Sequence, residues 1–202
     1  AARCLMSPAH VLEPTYRRLK RALMEGAWPN GAKLEAQRLA DETGVSMTPV
    51  RDSLNQLVGE GLVDFTPGEG FRVASIGEQG LRDLLYVNAL LLETAADAGW
   101  ELPRKADLSD QGSDYAERLA AAFSMLAAGS GNRQLAEFVG RIGERLHSIR
   151  RREPEIVPAA TQTLESIEAS MHASAAERRD VIWQYHRQCA AHAASLIDSV
   201  AK

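Results

Sequence analysis

Apolar positions in the first 75 residues recur at helical spacing in short runs, each broken by glycine or proline. Tyr16, Leu19, Ala22 and Leu23 share one face of a first helix, with Arg17, Arg18, Lys20 and Arg21 on the other faces. Gly26 and the Pro29-Asn30-Gly31 turn stop it. Residues 35–43 predict a second, short helix with Leu39 and Ala40 inward and Gly44 as its C-cap. Ser46 is placed to cap a third helix, and Pro49 falls early in it, where a missing N–H costs least. Val50, Leu54 and Leu57 form an apolar stripe that carries this helix to Glu60, and Gly61 closes it. Residues 62–65 and 71–73 alternate as two strands around 66–70, which reads as a hairpin.

After residue 75 the text changes to alanine-rich helical runs, placed at 78–98, 107–128, 133–152, 158–173 and 176–200. The breaks are chemical: Gly and Pro at 99–103, Gly-rich text at 129–132, prolines at 154–158 and a polar turn at 172–174. Leu81, Leu84, Leu85, Asn88, Leu91 and Leu92 form a broad face suited to a bundle core or a dimer seam. The predicted fold class is mainly α. A winged helix-turn-helix of three helices and a β-hairpin wing at 10–75 precedes an all-α antiparallel helical bundle at 76–202.

Composition narrows the class. The chain has 202 residues, 45% hydrophobic and 25% charged, which favours a folded globular protein over a disordered one. No apolar run reaches the length of a membrane span, the N-terminal text lacks a secretory pattern, and two cysteines make no disulfide scaffold. The expected setting is the cytoplasm, without a membrane. The net charge of −4 counts against coating nucleic acid through bulk charge. Residues 1–75 nevertheless carry nine basic and nine acidic residues, so the excess acid belongs to the second part.

The order helix, short helix, turn, helix, two-stranded wing has a specific physical use. The third helix lies in the major groove with its first turn against base edges, so polar and basic groups belong at its start. Ser46, Thr48 and Arg51 are placed there, and the small turn at 67–70 is suited to a minor groove. Residues 15–73 resemble the DNA-binding domain of the GntR family of bacterial transcription regulators. The resemblance is carried by Tyr16, Leu19, the stretch at 26–34, Leu39-Ala40, Gly44-Val45-Ser46, Thr48-Pro49-Val50-Arg51, Leu54, Leu57 and Glu60-Gly61-Leu62-Val63. It implies DNA contacts at Ser46, Thr48, Pro49, Arg51 and Gly68. Gln37 and Met47 stand at two further contact positions where the family commonly writes arginine, and Glu69 adds a negative charge to the wing. The expectation is a transcriptional regulator, a repressor, binding a pseudo-palindromic double-stranded operator as a homodimer. Its cationic contacts are fewer and its salt dependence shallower.

The second part resembles the all-helical effector-binding and dimerisation domain of the fatty-acid-regulator-like (FCD-type) branch of that family, here shortened. Ser130-Gly131-Asn132, Leu135 and His186 carry the likeness. In that branch an Asp-x-x-x-His pair and two further histidines hold a divalent metal that binds a carboxylate effector. Here the aspartate and histidine positions fall at Leu119 and Phe123, and the next histidine at Leu164. Using His147 instead puts Gly143 where the aspartate belongs. No cofactor and no metal site are therefore expected. The candidate effector pocket is His147 and His186, for an unidentified small molecule, a carboxylate by resemblance. His186, Cys189 and His192 read either as neighbours able to share a ligand or as residues that border a core face or are exposed, and the arginines at 141, 145 and 150–152 read either as an anion grip or as a solvated helix end. No phosphate loop, nucleophile elbow or metalloprotease helix is present, and Glu93 and Asp97 lack a companion base, so no enzyme is expected. Two other readings are a degenerate regulator that acts as a protein-interaction module and a metal-dependent sensor.

Overall fold

The computed structural model describes residues 8–98 and 114–201. The chain divides after Ser75, and the second compact unit runs Ile76–Val200. Within the first unit, α1 (Pro8–Met24) is followed by β1 (Lys33–Leu34), α2 (Ala36–Thr43), α3 (Met47–Gly59), β2 (Val63–Thr66) and β3 (Gly70–Val73). Leu19, Leu23, Leu39, Val50, Leu54 and Leu57 are buried together, so the apolar stripes of the three helices meet in one core. Gly44 sits at φ 71° and its N–H donates to the Ala40 carbonyl at 2.9 Å, a left-handed C-cap that a side chain would strain.

The sheet has one more strand than the hairpin predicted from the sequence. Its order is β1-β3-β2, with Lys33 opposite Arg72 and Leu34 opposite Phe71 on one side of β3. On the other side, Phe65 lies opposite Phe71 and Thr66 opposite Gly70. Two residues are too few to show a period of two in sequence, and pairing with β3 is what makes them a strand. The wing tip is a tight turn: Glu69 N–H donates to the Thr66 carbonyl at 3.0 Å, with Gly68 at φ 86° behind Pro67. That is the φ a type II turn requires at its third residue.

The second unit is helical throughout its described part: α4 (Glu78–Asp97), α5 (Tyr115–Gly129), α6 (Arg133–Arg150), α7 (Glu153–Ile156), α8 (Ala160–Ser170), α9 (Ala175–Ala191) and α10 (Ala193–Val200). Asp114 caps α5 through its side chain, so that helix begins at Tyr115; the start predicted at 107 and the break at 99–103 lie outside the described residues. The Ser130-Gly131-Asn132 stretch has a structural cause. Gly131 takes φ 67°, and the Asn132 side chain accepts from Leu135 N–H at 3.1 Å to start α6. Ser174 and Glu177 form a reciprocal capping box on α9. The single helix predicted at 176–200 is divided at His192, and α7 occupies the predicted proline break. Leu81, Leu85, Leu92, Leu119, Leu126 and Leu164 belong to the bundle core. No described helix is long and apolar enough to cross a membrane.

Candidate nucleic-acid interface

The third helix presents its two faces as the stripe requires. Val50, Ser53, Leu54 and Leu57 are buried, while Ser46, Met47, Thr48, Arg51 and Asn55 are exposed and Pro49 is half-buried. Ser46 occupies the N-cap position with an extended backbone, but its hydroxyl makes no capping bond, contrary to the capping role expected for it. The hydroxyl and the first-turn amides therefore remain available to an anion at the helix start. Arg51 makes no hydrogen bond or ion pair among the described residues.

Most of the other cations in this unit are tied to acids of the same unit. Arg17 pairs with Glu13 at 2.6 Å, Lys20 with Glu60 at 3.0 Å, Arg38 with Glu42 at 3.0 Å and Arg72 with Glu69 at 3.7 Å. Lys33 lies 4.0 Å from Glu35. The zero balance of the first 75 residues is thus largely met by local pairs, and among the described residues Arg51, like Arg21, is exposed without one. Tyr16 adds a structural anchor, its phenol donating to Glu60 at 2.6 Å, and burial raises its pKa above the usual phenol value. Gln37 is exposed on α2, with its amide donating to Asp41 at 3.0 Å, and Gly68 lies exposed at the wing tip.

The candidate effector residues sit in the bundle, inside the second unit. His186 is buried between Asn88, whose amide nitrogen lies 3.0 Å from Nε2, and the Ile182 carbonyl, 2.7 Å from Nδ1. A carbonyl can only accept, so Nδ1 carries the hydrogen and Nε2 accepts from Asn88. Burial pushes the His186 pKa down to about 3. His147 is also buried, and burial together with the nearby Arg150 charge lowers its pKa.

The sequence places Arg150 in a run that reads either as an anion grip or as a solvated helix end, without separating it from its neighbours; it is 1% exposed, while Arg151 and Arg152 are exposed. Its guanidinium carbon lies 5.2 Å from the centre of the Phe123 ring, and its Nε and Nη2 have no hydrogen-bond partner among the described residues. Glu153, equally buried, accepts from Tyr115 at 2.8 Å and from Tyr185 at 2.9 Å. Burial pushes that carboxyl up, while Arg150 and the two phenols pull it back. The helical turn placing Glu153 three residues after Arg150 was the available signal.

Phe123 stacks on His186, with ring centres 5.6 Å apart and planes at 19°, and meets Tyr185 edge-on at 5.4 Å. Leu119, Phe123 and Leu164, the positions aligned with metal ligands in the resembled branch, are all buried core residues. Hydrocarbon donates nothing to a cation, and the His186 Nε2 lone pair is already taken by Asn88, so these residues do not fit a divalent metal. Among the described residues no group of three or more His, Cys, Asp or Glu is gathered that would hold one. Cys189 is buried, His192 ends α9, and Asp97 pairs with Arg179 at 2.6 Å.

Residues 13–73 match the family described as bacterial regulatory proteins, gntR family. The first unit is thus similar to the domain that this family model describes. The HTH-type transcriptional repressor GlaR of Escherichia coli is 34% identical over 93 residues, 43% of this chain and 42% of that protein. The HTH-type transcriptional regulator McbR of Escherichia coli is 36% identical over 66 residues, 33% of this chain and 30% of that protein. The matched segments span less than half the length of these relatives. Across the fold, the structure of E. coli McbR/YncC is similar with a TM-score of 0.68 at 22% identity, covering 96% of this chain and 99% of that one. A putative GntR transcriptional regulator from Rhodococcus sp. RHA1 gives 0.66 at 17% identity, covering 95% and 99%. A winged helix followed by a helical domain is therefore the fold that the chain shares with these structures.

Proposed function

We propose that this DNA-binding regulator is a cytoplasmic homodimeric repressor that reads a pseudo-palindromic operator and is released by a small carboxylate held in its bundle. The observation that carries the DNA reading is Arg51: an exposed, unengaged guanidinium in the early turns of α3, in a unit whose other cations are mostly paired. An arginine so placed forms a bidentate pair with guanine O6 and N7. Ser46 and Thr48 supply hydroxyls for phosphates, Pro49 sets the entry of the helix, Met47 offers an apolar contact to a thymine methyl, and Gln37 and Gly68 flank the site.

Support for dimerisation comes from Tyr86, Val87 and Leu90, large side chains left exposed on one stretch of α4 at 57%, 45% and 40%. A two-fold pair of heads reads two half-sites, and effector binding shifts the population between dimers that fit the operator and dimers that do not. Support for an anionic effector comes from the bundle's unmatched polar groups: Arg150 Nε and Nη2 and Asn88 Oδ1. His186 and His147 border that polar region as neutral groups. Because the metal positions are filled by leucine and phenylalanine, the carboxylate is held without a metal.

The decisive experiment is a binding titration of the protein on DNA from upstream of its own gene against a scrambled duplex, at two salt concentrations. A specific complex lost in Arg51→Ala supports the reading; equal binding to both duplexes sinks it. For the effector, melting curves are recorded with small mono- and dicarboxylates, with and without a chelator. Stabilisation that survives the chelator and disappears in Arg150→Met is the expected result.

A further inference from the structure

A cleft of about 470 Å³ opens between α3 and the wing, in the same face of the first unit as Arg51. Its floor is the cross-strand row Leu34, Phe71 and Phe65, in register across the three strands. Arg51 and Asn55, one helical turn apart on α3, form one wall, and Lys33 stands at the rim beside Glu35. Two groups of this cleft are left exposed. Phe65 packs on Phe71 with ring centres 4.9 Å apart and planes tilted by 45°, yet remains 49% exposed, an aromatic surface left in water. The Asn55 amide, exposed on α3, makes no hydrogen bond among the described residues.

A helix in the major groove and a wing tip at the neighbouring minor groove stand on opposite sides of one sugar–phosphate strand. That strand has to pass between them, through the space the cleft occupies. Asn55 lies two turns into α3, beyond the first turn that reaches base edges, so its amide meets backbone and not bases. We propose that the cleft seats the strand separating the two grooves, with the Phe65 ring packed on a deoxyribose and the Asn55 amide donating to the adjoining phosphate. This rests on the reading of the first unit as a duplex-DNA reader. The apolar floor suits the sugar carbons, and Asn55 and Lys33 suit the phosphate. Such contacts carry no base information and add no counterion release at Phe65 or Asn55, which matches a head poor in free cations.

The test uses the full chain. Wild type first selects duplexes from a random pool, which supplies a specific probe. Dissociation constants for wild type, Phe65→Ala, Phe65→Tyr and Asn55→Ala are then measured by fluorescence anisotropy on the selected and a scrambled duplex across a salt series. Phe65→Ala and Asn55→Ala are expected to weaken both complexes by the same factor, about fivefold, the worth of one modest contact. The salt slope and the selected sequence stay unchanged, and Phe65→Tyr binds as wild type. A single methylphosphonate walked across the half-site is expected to have one position at which Asn55→Ala costs nothing further. Binding of both alanine variants equal to wild type, or a base preference altered in Asn55→Ala, overturns the cleft assignment. A wild type that selects no sequence and binds no duplex overturns the DNA reading itself.

Discussion

The amide nitrogen of Asn88 on α4 lies 3.0 Å from Nε2 of His186 on α9, and this contact holds a buried imidazole in its neutral form. Protonation would put a second hydrogen where Asn88 already donates, in a site that burial has stripped of water. The folded pKa of about 3 lies below the unfolded value of His. Between those values the unfolded chain binds the extra proton, so stability is full above pH about 6.5 and falls as the pH drops towards 3. Unfolding free energies from urea titrations at pH 7.5 and pH 5 are expected to differ by about 2 kcal/mol from this histidine, with His147 adding in the same direction. His186→Gln flattens the dependence; an unaltered pH profile in that variant refutes the assignment.

Arg51→Ala is expected to lose about 1–3 kcal/mol of discrimination at one base pair of each half-site. Gel-shift titrations on matched and singly substituted operators read this directly. Circular dichroism should be unchanged, because the side chain is exposed and engages nothing in the free protein.

Charge pairing within the first unit predicts a shallow plot of log affinity against log salt. Arg17, Lys20, Arg38 and Arg72 are each committed to an acid, so few phosphates are neutralised on binding. Met47→Arg restores a cation at the exposed start of α3 and is expected to steepen the slope by about one for each head. An unchanged slope would place residue 47 away from phosphate.

Leu90→Glu puts a charge into the exposed apolar stretch of α4. The expected result is a monomer in light scattering at micromolar concentration, with palindrome binding lost and weak half-site binding retained. A persistent dimer moves the seam elsewhere.

Breaking the buried Glu153 cluster is expected to be costly. Glu153→Ala strands Arg150 and removes the acceptor shared by Tyr115 and Tyr185. A loss of about 3–5 kcal/mol in urea unfolding is the expected scale for such a break.

Much of the first unit was legible because its signals are local. Val50, Leu54 and Leu57 print a helical period, Gly44 marks a left-handed cap, and Pro67 with Gly68 spells a turn. Strand β1 was not legible, since Lys33 and Leu34 become a strand only by meeting Arg72 and Phe71. The break at His192 is likewise unmarked by proline or glycine. Arg150 was hidden for a different reason: three arginines in a row look alike in sequence, and only the turn of α6 decides which one faces Phe123. The Ser46 position was legible but its bonding was not, because a capping sequence fixes the place of a hydroxyl and not what it binds.

The third strand also sets how the wing responds to load. With β1 on one side and β2 on the other, β3 is the central strand, paired on both sides at Phe71 and Arg72, while β2 is an edge strand. On the proposed reading, the pairing on both sides of β3 makes the gap between α3 and the wing a caliper with a set jaw width. A duplex gripped by both jaws must already match that width, or bend to it at a cost that depends on its sequence. Base pairs that no side chain touches are then expected to be selected by how readily they narrow or widen the groove.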